Sequence, residues 1–379
     1  MEYNYKCVAP CLMGVERLVA NELKFMGAQN VCADNGRVFF EGGAEIIARA
    51  NIRCRVAERI LLLCARFDAR SFEDLFNGVR SIDWGAFLPM NAQFPVTGSC
   101  LSSQLKSVSD CQGIIKKAAA EALKAKYGVK SMLPETGALY KIRFLILKDN
   151  VCIMLDTTGE PLHKRGYRAN SGGAPMKETL AASLCQIAGV RKDHIVIDPC
   201  CGSGTILIEA ALSALNIAPG INRSFVCEDW PIIPQGIWEN ERNEAKKIVR
   251  TDCGFHGIGY DIDDEVLETA RENAVKAGVD DRIEFRHRDI HEFSLDLPRA
   301  TVICNPPYGE RLLDISDAHE IYTAMGERFE LRDGISYNII CPDDDFERCF
   351  KRRADKRRKL YNGMISCQLY MYGGRSKKK

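Results

Sequence analysis

No apolar run in this 379-residue chain approaches the length of a bilayer span. The longest, Ile60-Leu61-Leu62-Leu63-Cys64-Ala65, stops at Arg66 and has the length of a strand. No signal peptide opens the chain, so the sequence predicts a cytoplasmic protein without a membrane partner. Cys-x-x-Cys is also missing, although there are 17 cysteines, an odd number. That argues against the common zinc frameworks and against a disulfide scaffold. The thiols read as small, reduced core residues. His287 and His291 stand four apart but straddle a strand end instead of sharing one helical face, so no metal is assigned. An overall excess of one charge is missing too, with 52 basic against 51 acidic side chains. The balance hides a division. Residues 1–170 carry 23 Lys and Arg against 17 Asp and Glu, residues 171–350 carry 18 against 33, and residues 351–379 carry 11 against 1. An acidic centre between basic flanks fits RNA contact through the flanks.

What is present is concentrated at predicted strand ends. His194-Ile-Val-Ile-Asp198 runs into Pro199-Cys200-Cys201-Gly202-Ser203-Gly204-Thr205 and then an apolar helix. No Gly-Lys-Ser/Thr follows, which excludes a P-loop, and Leu207 replaces the third glycine of a dinucleotide fingerprint. Asp198 placed four residues before Gly-x-Gly resembles the first motif of S-adenosylmethionine-dependent methyltransferases. Gly202 and Gly204 would let the backbone approach the methionine moiety. Gly257 to Asp263 is a second strand ending in acid, where Asp261, next to Ile262, is placed to accept ribose hydroxyls. Ile283 to Ile290 puts Asp289 near a third strand end, placed to accept from an adenine amine. Any one of these acids alone would read as a turn or cap. A fourth strand, Ala300 to Cys304, stops at Asn305-Pro306-Pro307-Tyr308. Proline fixes φ and removes an N–H, so this turn holds an amide side chain, a carbonyl and an aromatic face at set positions. The Asn305 amide oxygen and the Pro306 carbonyl can accept the two protons of an exocyclic amine while Tyr308 stacks on the base.

Taken in this order, and with Gly159-Glu160-Pro161-Leu162-His163-Lys164-Arg165-Gly166-Tyr167-Arg168, Ala174-Pro175-Met176-Lys177-Glu178-Thr179-Leu180-Ala181 and Gly309-Glu310-Arg311-Leu312, the chain resembles the THUMP-domain RNA methylases that act on guanine N2. These include the bacterial large-subunit ribosomal RNA enzymes and their transfer-RNA relatives. The resemblance implies an α/β Rossmann-like class I methyltransferase domain with a mostly parallel seven-stranded sheet and a terminal antiparallel hairpin. An α+β ferredoxin-like/THUMP module would precede it. It places a ferredoxin-like unit at residues 1–55, a THUMP domain at 56–157, a linker at 158–173 and the catalytic domain at 174–379, with a Trp-bearing insertion at about 213–252. It implies S-adenosyl-L-methionine as cofactor, with Lys177, Glu178 and Thr179 near its methionine end and Ile290 beside Asp289. It implies ribosomal RNA as the first-choice substrate and transfer RNA as the second. Adenine-N6 methylation in RNA or DNA, glutamine methylation, and a non-catalytic RNA-binding assembly factor are the competing readings.

The N-terminal third reads as α+β. Val15 to Met26 carries a helical apolar stripe, and Ser109-Asp110-Cys111-Gln112 reads as a capping box opening a helix to Tyr127. Lys116, Lys117, Lys124 and Lys126 would face outward from that helix as an RNA-docking surface. Leu139 to Ile146 and Val151 to Asp156 read as a hairpin turning at Asp149-Asn150. Arg165 and Arg168 would meet phosphate at the domain junction or pair with carboxylates across it. Arg352, Arg353, Arg357 and Arg358, in the basic run 351–359, are assigned to RNA, and Lys377 to Lys379 to a solvated end. The insertion reads as a surface excursion, with Trp230 and Trp238 in buried packing. Pro175 to Ala188 reads as a helix, and Asn362-Gly363 as the turn of the final hairpin.

Overall fold

The computed structural model describes residues 4–168, 176–308 and 314–373. Ala174, Pro175, Gly309 to Leu312 and Lys377 to Lys379 lie outside them. No helix among the described residues is long and apolar enough to cross a membrane. All 17 cysteines are free thiols.

Two seven-stranded sheets organise the chain. The first holds β1 (Tyr5–Pro10), α1 (Glu16–Phe25), β2 (Gln29–Asp34), β3 (Arg37–Gly42), α2 (Ala44–Arg53), β4 (Leu61–Asp68), α3 (Phe72–Arg80), β5 (Val96–Leu101), α4 (Val108–Tyr127), β6 (Ile142–Leu147) and β7 (Asn150–Asp156). Its strand order is β2-β3-β1-β4-β7-β6-β5. The first four strands with α1 and α2 make a βαββαβ unit of ferredoxin type. β4 pairs with β1 on one side and with β7 on the other, so the second half continues the same sheet. The division expected at 55/56 falls between α2 and this shared strand. Period-two burial explains the strands: in β6, Ile142, Phe144 and Ile146 enter the core while Arg143, Leu145 and Leu147 face away. Val15, Val19 and Leu23 bury the stripe of α1.

Two local readings need correction. The cap of α4 is Ser107, whose Oγ accepts the Asp110 N–H at 3.3 Å. Ser109 already lies inside the first turn. The β6–β7 turn is Lys148-Asp149, both left-handed at φ +52° and +63°, so Asn150 is the first residue of β7.

The second sheet holds α5 (Glu178–Ala188), β8 (Ile195–Asp198), α6 (Thr205–Ala214), α7 (Ile237–Lys247), β9 (His256–Asp261), α8 (Asp264–Ala277), β10 (Ile283–His287), β11 (Ala300–Cys304), α9 (Ile315–Arg328), β12 (Ile335–Cys341), α10 (Phe346–Cys349), β13 (Lys356–Asn362) and β14 (Ile365–Gly373). Its order is β10-β9-β8-β11-β12-β14-β13, parallel from β10 to β12, with β14 and β13 antiparallel. This is the predicted doubly wound sheet with a terminal hairpin. The central strands are apolar runs because helices cover both faces. In the hairpin, Asn362 pairs with Ile365, so the two-residue turn is Gly363-Met364, with Gly363 at φ +66°. Asn362 is therefore a buried strand residue and not part of the turn.

The insertion is not a surface excursion. Its helix α7 packs on α2, where Glu241 receives Arg49 at 2.8 and 2.7 Å and Arg53 at 3.4 Å. The Trp230 ring stacks on Tyr140 with centroids 4.5 Å apart, and its Nε1 donates to the Leu139 carbonyl at 3.0 Å. Trp238 stacks on Phe225. Of the α7 charges, Glu241 finds its partners on α2, far away in sequence, whereas Arg242 pairs with Glu228 and Lys247 with Glu244 inside the insertion, and Glu239 and Lys246 are exposed.

Candidate active site

Strand order reverses between β8 and β11, and four chain segments converge at the carboxyl edge there: the ends of β8, β9, β10 and β11. Open α/β sheets place ligands at such a switch point. The glycine loop between β8 and α6 is stitched to β9. The Cys201 N–H donates to the Tyr260 carbonyl at 2.8 Å, and the Gly202 N–H to Asp261 Oδ2 at 2.8 Å. Asp261 Oδ1 accepts the Asp263 N–H at 3.2 Å. An ionised carboxylate has about four lone-pair sites, so these bonds leave acceptor capacity at this edge. Gly202 has φ +51°, and a Cβ there would meet nothing within 4 Å, so the loop bounds open space. Gly204 differs: at φ +78° its Cβ would lie 2.9 Å from Phe285 and 3.2 Å from Ala270. Packing against β10 and α8 by itself requires a glycine here. The buried Asn273 of α8 holds the loop from behind through the Ser203 carbonyl at 3.1 Å.

Asp198 is 1% exposed. Burial pushes its carboxyl up to about 8, with the Asp261 charge adding to the rise and the Cys200 N–H on Oδ1 at 3.2 Å opposing it. Asp289 behaves otherwise. It caps the turn that follows β10, and its Oδ1 accepts the His291 N–H at 2.9 Å and lies 2.7 Å from His291 Nδ1. The His291 backbone N–H, then its ring, hold that carboxyl below the usual range. Ile290 is buried, whereas Ile262 is 63% exposed next to Asp261, an apolar surface at the edge.

Two side chains of the segment entering α5 meet Glu58, which lies between α2 and β4. Lys177 Nζ lies 3.1 Å from Glu58 Oε2, and Thr179 Oγ1 donates to Glu58 Oε1 at 2.5 Å. His163 Nδ1 is 3.2 Å from the same carboxylate. Burial disfavours charge on Glu58, but the bonds from His163 and Thr179 and the Lys177 charge outweigh it and hold the carboxyl at about 2. The side chains of Lys177 and Thr179 thus latch onto the first sheet's unit through Glu58. Glu178 remains at the site. It pairs with Arg168 Nη1 at 3.3 Å, and Arg168 also donates to Thr205 of the glycine loop and to the Met176 carbonyl. Among the described residues, none is hydrogen-bonded to the buried Glu178 Oε2 or Arg168 Nε. Unsatisfied buried polar atoms next to the loop fit a ligand with an ammonium and a carboxylate.

Asn305 is half-buried at the end of β11, and among the described residues none is hydrogen-bonded to its side-chain amide. Pro306 is buried. The Pro307 carbonyl accepts from Tyr322 Oη at 3.4 Å, and Tyr308 Oη accepts from Asn362 Nδ2 at 3.0 Å.

Several basic residues read as RNA contacts are engaged internally. Arg165 is buried, with its Nε 3.4 Å from Glu209 and further bonds to the Leu162 and Arg55 carbonyls. Arg168 belongs to the site just described. Arg352 donates to the Phe329 carbonyl at 2.6 Å, Arg357 is paired with Glu347, and Arg358 bonds the Gly14 carbonyl. Lys116 is held by Glu135 at 2.7 Å and lies over the Phe94 ring, and Lys126 is 3.3 Å from Asp83. Lys124 is half-buried, whereas Lys117, Arg353, Lys356 and Lys359 are exposed. Glu58, Asn273 and Asn362 were not readable as site residues, because each acts across a long sequence separation with no local motif.

Family comparison matches residues 165–371 to the RMKL-like methyltransferase domain, 6–61 to the RlmL ferredoxin-like domain and 69–156 to the THUMP domain. YpsC of Bacillus subtilis, whose name assigns it provisionally to the RNA methyltransferases, is 44% identical over 97% of this chain and 96% of its own length. The ribosomal RNA large subunit methyltransferase K/L of Psychromonas ingrahamii is 34% identical over 96% of this chain, which spans 49% of that protein. Among solved structures, SMU.472, described provisionally as a methyltransferase and complexed with SAH, is 40% identical with a TM-score of 0.93, covering all of both chains. A Listeria monocytogenes protein described as a predicted N6-adenine-specific DNA methylase is 41% identical with a TM-score of 0.92, covering 98% of this chain and 97% of its own.

Proposed function

Because the chain belongs to the RMKL-like methyltransferase family, with ferredoxin-like and THUMP units ahead of the catalytic domain, we propose that it methylates the exocyclic N2 of a guanine in RNA, with large-subunit ribosomal RNA as the substrate. The cofactor is S-adenosylmethionine, which supplies a methyl group already activated on a sulfonium. The observation that carries this reading is the Asn305 amide at the end of β11, at the switch point, with no hydrogen bond to another described residue and next to the Pro306 carbonyl.

The remaining work belongs to the chain. Asp261 accepts ribose hydroxyls while its Oδ2 keeps the Gly202 loop in register. Asp198, Pro199, Cys200, Gly202, Thr205 and Glu178 bound the methionine end, and Ile262, Asp289 and Ile290 the adenine end. The target base leaves its stack to reach the sheet edge, where Tyr308 receives it. A guanine amine is conjugated with its ring and is a poor nucleophile. Asn305 and Pro306 accept its two protons, which raises electron density on nitrogen as positive charge develops there. They also fix the nitrogen for in-line approach. The motif contains no strong base, so the proton leaves to water after transfer.

The Listeria relative, described as specific for N6 of adenine, favours a second reading: transfer to adenine N6, which presents the same pair of amine protons to the same two acceptors. The experiment is methyl transfer from labelled S-adenosylmethionine to large-subunit ribosomal RNA and to transfer RNA, assayed separately, with the product nucleoside identified by mass spectrometry. N2-methylguanosine in the ribosomal transcript is expected, and N6-methyladenosine would establish the second reading. Asn305→Ala is expected to lose at least about 100-fold in kcat with an unchanged Kd for the cofactor; wild-type turnover by that variant would remove Asn305 from the mechanism.

A further inference from the structure

The tetrapeptide that ends β11 is tied to an element that the chemistry above does not use. Asn362, the last residue of β13, is 5% exposed and donates from Nδ2 to Tyr308 Oη at 3.0 Å. It sits at the root of the tight turn Gly363-Met364 and pairs with Ile365. β13 is the outer strand of the second sheet and carries the exposed, basic Lys356 and Lys359. A polar side chain buried on a strand costs stability unless its bonds are made, so a purely packing role would be filled better by an apolar residue. A second strut supports the same turn, since Tyr322 Oη donates to the Pro307 carbonyl at 3.4 Å.

We infer that Asn362 is a positioning residue for methyl transfer: it holds the Tyr308 ring from the edge hairpin, and through that ring the plane and depth of the target base. This rests on the reading of Asn305 to Tyr308 as the transfer site. The hydroxyl is the only polar atom of the tyrosine side chain. A hydrogen bond there fixes the ring's position without occupying either face, and a face is what a base stacks on. Because β13 is also the strand with exposed lysines, RNA seated on that edge bears on the same hairpin whose root orients the ring.

The test compares Asn362→Leu, Tyr308→Phe and the double variant with wild type. The RNA is the transcript that the wild-type protein methylates. Both single variants lose the same bond, so each is expected to lower kcat about 10- to 100-fold, the scale of a displacement of about 1 Å. The double variant should be no worse than either single one. The cofactor Kd should not move in either single variant, whereas a general loss of structure would weaken it; the thermal midpoint of Tyr308→Phe should fall modestly, because Asn362 Nδ2 loses this buried acceptor. Wild-type kcat in either single variant, or losses that multiply in the double variant, would overturn the inference. If Asn362→Leu folds poorly, Tyr308→Phe decides, because it removes the bond and leaves the hairpin intact. A wild-type protein that methylates no RNA would instead defeat the underlying reading, so the two failures are distinct.

Discussion

Asp198 shows how one side chain reports on the site without touching the transferred group. Its carboxyl is pushed up to about 8 by burial and by Asp261. A folded-state value above the unfolded one means that stability is greatest at low pH and falls as pH rises toward 8. Asp198→Asn, which keeps the shape of the neutral acid, removes that dependence. The variant should gain stability over wild type as pH rises from about 4 to about 8, with no further gain above. Urea midpoints across that range check it, and a flat difference would show that Asp198 is ionised in the folded protein. The motif residues at this scale were legible because each motif is contiguous and stands at a strand end. Glu58 and Asn362 were not, because their partners lie 119 and 54 residues away. Nothing local marks such a residue, and only the fold brings the pair together. The same limit explains Arg165, whose charge looks available in the sequence and is faced by Glu209 of α6 in the fold.

Among elements, helices and strands followed from periodicity, and the errors gathered at their ends. The turn at Lys148-Asp149 and the start of α4 each lie one or two residues from where composition puts them. Register is set by cross-strand pairing, and Asn-Gly or Ser-x-x-Gln is only a local preference. The insertion differs from its sequence reading for a related reason: Glu241 looks solvated with its neighbours until Arg49 and Arg53 arrive from another part of the chain. Its docking rests on Trp230, fully buried against Tyr140. Trp230→Ala should cost about 3–5 kcal/mol and expose the 213–252 segment to limited proteolysis. Unchanged proteolysis and an unchanged denaturation midpoint would show that α7 and Glu241 suffice to hold it.

For the molecule as a whole, the acidic centre and basic flanks were legible from counts alone, but not which cations remain available. Several of the arginines that the sequence assigns to RNA bond to carbonyls or carboxylates of the protein, whereas Lys356 and Lys359 on the outer strand are exposed. Lys356→Glu and Lys359→Glu should weaken RNA binding and reduce the slope of log K against log salt by about 1 each. The cofactor Kd should not change. A salt slope equal to wild type would move the RNA footprint off this edge. The strand β4 has a wider consequence. It belongs to the ferredoxin-like unit and to the THUMP half at once, so no hinge divides them. Glu58 and Trp230 then clamp that sheet to the catalytic one. A molecule braced in this way has the build of a caliper: the span between the first sheet and the edge at Asn305 is set by the fold, and, on the function proposed above, the methylated nucleotide would stand at a fixed distance from RNA held on the first sheet.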